Sequence, residues 1–374
     1  MVPPTDSKAN DAEQSIGNVQ LDVHLRIRRI GYIDATGKVH GALPEFADTQ
    51  ELIRLYRAMV LTRVFDEKAI ALQRTGRLGT YASSLGQEAT PVGVAAAMRS
   101  DDVLLPSFRE HGAQLWRGVS TEELLLFWGG DERGNDFKGP REDFPVSVPV
   151  ASHAPHAVGV ALAMRLRGED RAAVCVFGDG ATSKGDFYEA INLAGVWRLP
   201  VVFVATNNQW AISVPRSAQT AAETLAQKAI AAGVEGVLVD GNDVVSVRAA
   251  VETALAKARA GDGPTLIEAE TYRLGDHTTA DDASRYRDDA EVSAHWKSEP
   301  LSRLRQYLTD QGAWDHDDEE ALLADCAAQM EVATEAYLAA GPWSPEAIFT
   351  HLYATLPADY RDQLAALKRE MIND

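Results

Sequence analysis

Cysteine is nearly absent. Only Cys175 and Cys326 occur in 374 residues, too few for a disulfide framework, and neither stands in a metal-type pair. Long apolar runs are missing too: none approaches the roughly 18 residues that a membrane span requires. The N-terminal "MVPPTDSKANDAEQSIGNVQ" lacks the hydrophobic core of a signal peptide. Positive charge is in deficit, with 36 Lys and Arg against 55 Asp and Glu and a formal net charge of −19. That balance argues against nucleic acid and anionic membrane as partners, and serves solubility. No internal repeat and no low-complexity block is found. These absences point to a cytoplasmic, reducing setting. What remains, 45% hydrophobic and 24% charged residues, is the composition of an ordinary globular protein able to bury a full core.

Along the chain, the residues up to about Gln20 are polar and expected to be mobile. A helical pattern with a capped start runs from Thr49 to a glycine stop at Gly76. The middle then alternates. "AAVCVF", "PVVFVATNN", "EGVLVD" and "PTLIEAETY" read as buried strands, and Ser183–Trp197, Gln219–Ala232 and Val244–Ala260 as helices between them. Short β-branched runs separated by helices predict a doubly wound α/β domain with a mostly parallel sheet, whose ligands sit at the carboxyl ends of strands. "LGDHTTADDASRYRDDAEV", after Arg273, is a surface loop or a lid. The expected division is an N-terminal arm, partly flexible, over 1–45, the α/β domain over 46–297, and a helical C-terminal extension over 298–374.

The turn "FGDGATSKG" carries the chemistry. A dinucleotide fingerprint fails here, because after Gly178 and Gly180 the next glycine, Gly185, comes two places late, and Thr206 and Asn207 stand where an acid should end the next strand. A Walker loop fails because Lys184 precedes its glycine and no hydroxyl follows. A metal-bridged reading survives. Asp179 at the turn and an amide oxygen from "NN", Asn207–Asn208, at the next strand end could hold Mg²⁺, a hard cation that takes oxygen ligands. The ion would then bind diphosphate oxygens and reconcile carboxylate with phosphate. Amides around Gly180 and Ala181 would add donors. The plain alternative is that Asn-Asn is only a turn; its place one βαβ unit after "GDG" favours the metal.

"GDG" to "NN", 31 residues from Gly178 to Asn208, resembles the thiamine diphosphate motif. "RLGTYASSLGQEA", "LPSFREHG", "TLAQKAIAAGVEGVLVDGNDV" and "YRLGDHTTADDASRYR" follow in family order. Over roughly residues 40 to 370 the chain resembles the α subunit of the E1 component of 2-oxo acid dehydrogenase complexes, nearest the bacterial pyruvate dehydrogenase type.

The resemblance implies Mg²⁺ held by Asp179, the Asn208 side chain and the Trp210 carbonyl, with Gly180 and Ala181 against the diphosphate. Trp210 replaces the usual Tyr or Phe. Arg109 matches a diphosphate-binding arginine, as a guanidinium fork suits, and Phe108 replaces the usual Tyr beside it. His277 matches the active-site histidine. Val148 and Val150 match the apolar cleft under the bent cofactor. Ser147, Pro149, Ser152 and His153 align with a K⁺ site of branched-chain relatives, but His153 and His156 read better as helix-start residues. Ser107 and Tyr81 are placed near the substrate, and Arg285, Tyr286 and Arg287 are expected to pair with Asp281 or Asp282. Thr278 occupies the position of a serine that is regulatory in mitochondrial relatives. Ala82 and "GDH" depart from mitochondrial and branched-chain patterns. The implied activity is oxidative decarboxylation of pyruvate with reductive acylation of a lipoyl group on E2, in an α₂β₂ assembly whose β subunit supplies the catalytic glutamate. Branched-chain 2-oxo acids and acetoin are the alternative substrates.

Overall fold

The computed structural model describes residues 27–373; the expectation for the first 20 residues lies outside them. A six-stranded, wholly parallel sheet forms the centre. Its strands are β1 (Arg28–Ile30), β2 (Val103–Leu105), β3 (Ala173–Gly178), β4 (Val201–Asn207), β7 (Glu235–Asp240) and β8 (Thr265–Glu270), in the order β1-β7-β8-β4-β3-β2. A small antiparallel ribbon, β5 (Trp210–Ala211) with β6 (Val214–Pro215), stands apart. Parallel pairing needs crossovers, and these are helices. They include α1 (Thr49–Arg74), α2 (Ala89–Ala97), α3 (His111–Trp116), α4 (Thr121–Trp128), α5 (His153–Arg167), α6 (Gly185–Val196), α7 (Arg216–Gln219) and α8 (Val244–Arg259). Beyond the sheet lie α9 (Asp289–Trp296), α10 (Pro300–Asp310), α11 (His316–Ala339), α12 (Ala347–Thr350) and α13 (Ala358–Asn373). Among the described residues no helix is long and apolar enough to cross a membrane.

The alternation of side chains along a strand divides the core. From β3, Ala173, Cys175 and Phe177 enter one cluster with α5 and α6. Val174 and Val176 enter the other, with Val247 and Val251 of α8. Both faces are covered, so every position of β3 before Gly178 is apolar. Cys175 is simply one of them, fully buried. On the C-terminal side, Leu304 and Leu308 of α10 and Leu322 and Cys326 of α11 share a third cluster with Leu52, Leu55 and Met59 of α1. The cap of α1 is Asp48, whose carboxylate accepts from the Glu51 amide.

Two expected helices differ. The one read from Ser183 begins at Gly185, because Lys184 is extended (φ −91°, ψ 150°), and Asp179–Ser183 form a separate 3₁₀ turn. The one read over Gln219–Ala232 is broken. Only α7 and a 3₁₀ segment, Leu225–Ala232, are helical, with Thr224 extended between them. Tertiary contacts override the helix-compatible composition here. Arg216 is bound to the Ala222 carbonyl, the Gln219 amide is drawn to Asp179, and the Lys228 ammonium is drawn to Thr182. The two edge-side strands β1 and β2 were not read from sequence. Both are only three residues long, which leaves no periodicity to detect.

Candidate active site

The carboxyl ends of β3 and β4 are neighbours, Gly178 pairing with Thr206, so the residues just beyond them are brought together. Asp179 follows β3, and Asn208 follows β4. Both line one cavity of about 490 Å³. Phe108, Arg109, Val150, Gly180, Ala181, Trp210 and His277 line it as well. Val148 is not part of the lining and is 56% exposed: on the turn before α5, it is Val150 that faces the cavity. Tyr81 is also outside it. Its ring is fully buried and its hydroxyl donates to Asp66 at 2.7 Å, whereas Ser107 is in the lining.

The acid end is buried and braced. One Asp179 carboxylate oxygen accepts from the Gln219 amide at 2.7 Å. Burial raises its pKa, against the Gln219 hydrogen bond and the positive charge of Arg273. Behind it the Thr182 hydroxyl donates to the Asp179 carbonyl at 2.7 Å, and Lys228 donates to the Thr182 carbonyl at 2.8 Å. Asn208 Oδ1 accepts from the Trp210 amide at 3.2 Å, which leaves it a second lone pair. The Trp210 carbonyl accepts from Arg273 at 3.3 Å. A Cβ on Gly180 would lie 2.8 Å from that of Ala211, so the turn packs against the β5–β6 ribbon only as glycine. A carboxylate, an amide oxygen and a carbonyl at one corner form a donor set that suits a hard cation. Among the described residues no group of three or more His, Cys, Asp or Glu could hold a metal, so a cation here would need this mixed set.

Arg109, 7% exposed, lines the same cavity. One Nη donates to the Ser83 carbonyl; the other donates to the His277 carbonyl at 2.6 Å and approaches His277 Nδ1 at 2.8 Å. Burial and neighbouring Arg273 push its pKa down to about 10, so it remains a cation at neutral pH. A guanidinium can only donate, so His277 Nδ1 accepts and its proton sits on Nε2. Burial and the two arginines hold the His277 pKa down to about 4, which keeps the ring neutral. Phe108 packs edge-on to it with centroids 5.9 Å apart.

Three residues essential to this geometry carried no signal of their own in the sequence. Arg273, 1% exposed, reaches from the segment after β8 to the carbonyls of Trp210 and Ile212 and to the Tyr286 hydroxyl. Neither Arg109 nor Arg273 has an ion-pair partner among the described residues. A buried guanidinium on the cavity wall without an ion-pair partner, Arg109, favours an anion in the cavity. Glu110 also lines the cavity. Burial pushes its pKa up to about 7, against a 2.6 Å hydrogen bond from Ser107. Gln219 is the third.

The 276–287 loop is held differently from the expectation. Tyr286 does donate to Asp281, but Arg287 binds the carbonyls of Arg273, Leu274 and Gly275 rather than an acid, and Arg285 is exposed. Asp282 caps the short turn through the Ser284 amide. The Ser147 and Ser152 hydroxyls bond each other at 3.0 Å, and Ser152 donates to the Pro149 carbonyl. His153 opens α5, its Nε2 on the Val176 carbonyl at 2.8 Å. Its Nδ1, the Thr206 hydroxyl and the Gln87 amide nitrogen are buried without a protein partner, and all three residues line the cavity.

A family model described as "Dehydrogenase E1 component" matches residues 56–342. The 3-methyl-2-oxobutanoate dehydrogenase subunit alpha of Mycobacterium tuberculosis (strain ATCC 25618 / H37Rv) is 43% identical over 337 residues, covering 90% of this chain and 91% of that protein. The pyruvate dehydrogenase E1 component subunit alpha of Staphylococcus aureus (strain Mu50 / ATCC 700699) is 38% identical over 352 residues, covering 93% and 95%.

Proposed function

The chain belongs to the dehydrogenase E1 component family, as the α subunit of a 2-oxo acid dehydrogenase, and on that premise we propose that its cavity binds thiamine diphosphate through Mg²⁺. The observation that carries this is the corner where Asp179, the Asn208 amide oxygen and the Trp210 carbonyl meet one cavity, faced by the unpaired guanidinium of Arg109. Asp179, Asn208 and Trp210 would hold the ion. Gly180, Ala181 and Arg109 would receive the diphosphate, with Phe108 and His277 beside it. Bound thiamine diphosphate supplies the carbon nucleophile that attacks a 2-oxo carbonyl and allows loss of CO₂. The residues of this chain anchor the anion, keep a neutral His277 with its proton on Nε2 at the cavity wall, and set Val150 under the apolar part. The α/β domain over 46–297 carries this site, and 298–374 extends it.

The product acyl group is passed to a lipoyl domain of E2, and a β chain completes an α₂β₂ assembly and brings the catalytic glutamate that the resemblance places on it. Two observations bear on the substrate. The greater identity to the 3-methyl-2-oxobutanoate enzyme (43% against 38%) favours a branched 2-oxo acid, whereas the motif resemblance pointed to pyruvate. We place the branched acid first. Steady-state rates of the α–β pair with 3-methyl-2-oxobutanoate, pyruvate and acetoin decide it, with the largest kcat/KM expected for the first. A larger value for pyruvate would reverse the order. Decarboxylation by the α chain alone would remove the requirement for a partner.

A further inference from the structure

Gln87, in "SSLGQEA", belongs to neither the cation donor set nor the Arg109–His277 pair. Its side chain is 2% exposed and lines the cavity. A chain of hydrogen bonds that starts at the backbone dictates which way its amide faces. The Trp210 N–H can only donate, and it gives to Asn208 Oδ1 at 3.2 Å. The other end of Asn208, Nδ2, must then donate, and it gives to Gln87 Oε1 at 2.9 Å. Gln87 therefore turns its oxygen to Asn208 and is left with Nε2 as a donor, and this buried nitrogen has no acceptor in the protein. The loop cannot easily swing to relieve it. Gly86 has φ +85°, and a Cβ there would stand 2.8 Å from the Tyr272 carbonyl oxygen. The backbone N–H of Gln87 also donates to the Ser84 carbonyl at 2.9 Å.

Buried donors in folded proteins are almost always satisfied, so an orphan aimed at a cavity marks where a ligand acceptor belongs. We infer that Gln87 is a cofactor-binding residue, its Nε2 donating to an anionic oxygen of the diphosphate. This rests on the thiamine diphosphate reading above. Within it, the diphosphate is favoured over the substrate carboxylate because Gln87 is tied directly to Asn208, at the end of the cavity where Asp179 and Gly180 stand. The same residue thus does two things: its oxygen fixes the orientation of Asn208, and its nitrogen binds the anion.

Two variants of the full chain, co-purified with its β partner, separate these roles. Gln87→Glu keeps an oxygen for Asn208, removes the donor and sets a carboxylate against phosphate. Calorimetric titration with thiamine diphosphate at saturating Mg²⁺ should show its Kd raised about tenfold or more, as expected when a hydrogen bond to a charged group is lost. The Mg²⁺ concentration for half-saturation should not rise. Gln87→Met loses both contacts and should weaken cofactor and metal together, with a ligand-free melting temperature near that of the unsubstituted protein. An unchanged Kd in Gln87→Glu would overturn the inference and leave Gln87 only as a support for Asn208. An unchanged Kd with a raised KM for the 2-oxo acid would move the donor to the substrate, and overturns it equally. If the unsubstituted pair bound no thiamine diphosphate, the cofactor reading itself would fall, an outcome distinct from either.

Discussion

The polar corner and the exposed rim of the cavity are built by different physics. At the Asp179 end the groups interlock: Gln219 holds the carboxylate, Lys228 and Thr182 hold the turn behind it, and Asn208 is set by Trp210 and by Gln87. This end is complete in one chain. Along the exposed rim, Val150 and Ile212 line the same cavity yet are 45% and 55% exposed. Apolar side chains at the edge of a binding cavity, with no chain of their own to cover them, are the mark of a surface awaiting contact. The polar groups are therefore preorganised by folding, whereas the apolar rim is exposed in this chain. An anion site requires fixed dipoles and charges before the ligand arrives, whereas an apolar wall can be supplied by a second chain on docking.

Three substitutions probe this contrast. The largest effect is expected for Asp179→Ala, which removes the carboxylate of the proposed metal corner. Binding of thiamine diphosphate in the presence of Mg²⁺ should fall beyond calorimetric detection, while the melting temperature holds, since this acid is proposed as a ligand rather than as part of the apolar core. Unchanged affinity would break the comparison at its polar end.

Next is Glu110→Gln. Burial holds this carboxyl at about 7, above its ordinary 4.5, so the neutral form is the favoured one in the folded protein. The resulting stabilisation is full below about pH 4.5 and fades as pH rises to about 7, a change on the order of 3 kcal/mol. Glutamine cannot ionise. The variant should therefore gain stability relative to the parent between pH 5 and pH 8, read as a widening difference in melting temperature. A pH-independent difference would show that Glu110 is not held neutral.

The smallest effect is expected at the apolar rim. Ile212→Ser should leave the melting temperature of the isolated chain unchanged, because the side chain is mostly in solvent. It should weaken assembly with the β chain about tenfold, as sedimentation equilibrium would measure, in line with the loss of ~1.5 kcal/mol of apolar burial. If assembly were unaffected, the rim would not be the docking edge.

The sheet was legible because its signal is local. Continuous runs such as "AVCVF" and "VVFVAT" are what strands buried on both faces must look like, and the structure divides them between two core clusters accordingly. Candidates with a motif around them, Asp179, Asn208, Arg109 and His277, were equally visible, and they line one cavity. Arg273, Glu110, Gln219 and Gln87 were not marked, although three of them, Arg273, Glu110 and Gln87, lie within the quoted motifs. Their roles depend on which distant group each reaches: Trp210 for Arg273, Asp179 for Gln219, Asn208 for Gln87. Val148 and Val150 show the same limit at close range. Both are valines on one turn, and only the path of the backbone into α5 decides which faces inward.

Periodicity and motif spacing were enough to read a parallel α/β sheet and an acid and an amide at the ends of two consecutive strands, and the resemblance of the motifs pointed to an E1-type family. Those features are properties of short segments, and short segments carry their own hydrophobic pattern and turn chemistry. Folding decided everything that depends on closure across the chain: the neutral state of His277 between two arginines, the broken helix after Gln219, and the orphaned donor of Gln87. Burial and long-range hydrogen bonds create those properties, and neither exists until residues more than a hundred positions apart, such as Gln87 and Asn208, come into contact.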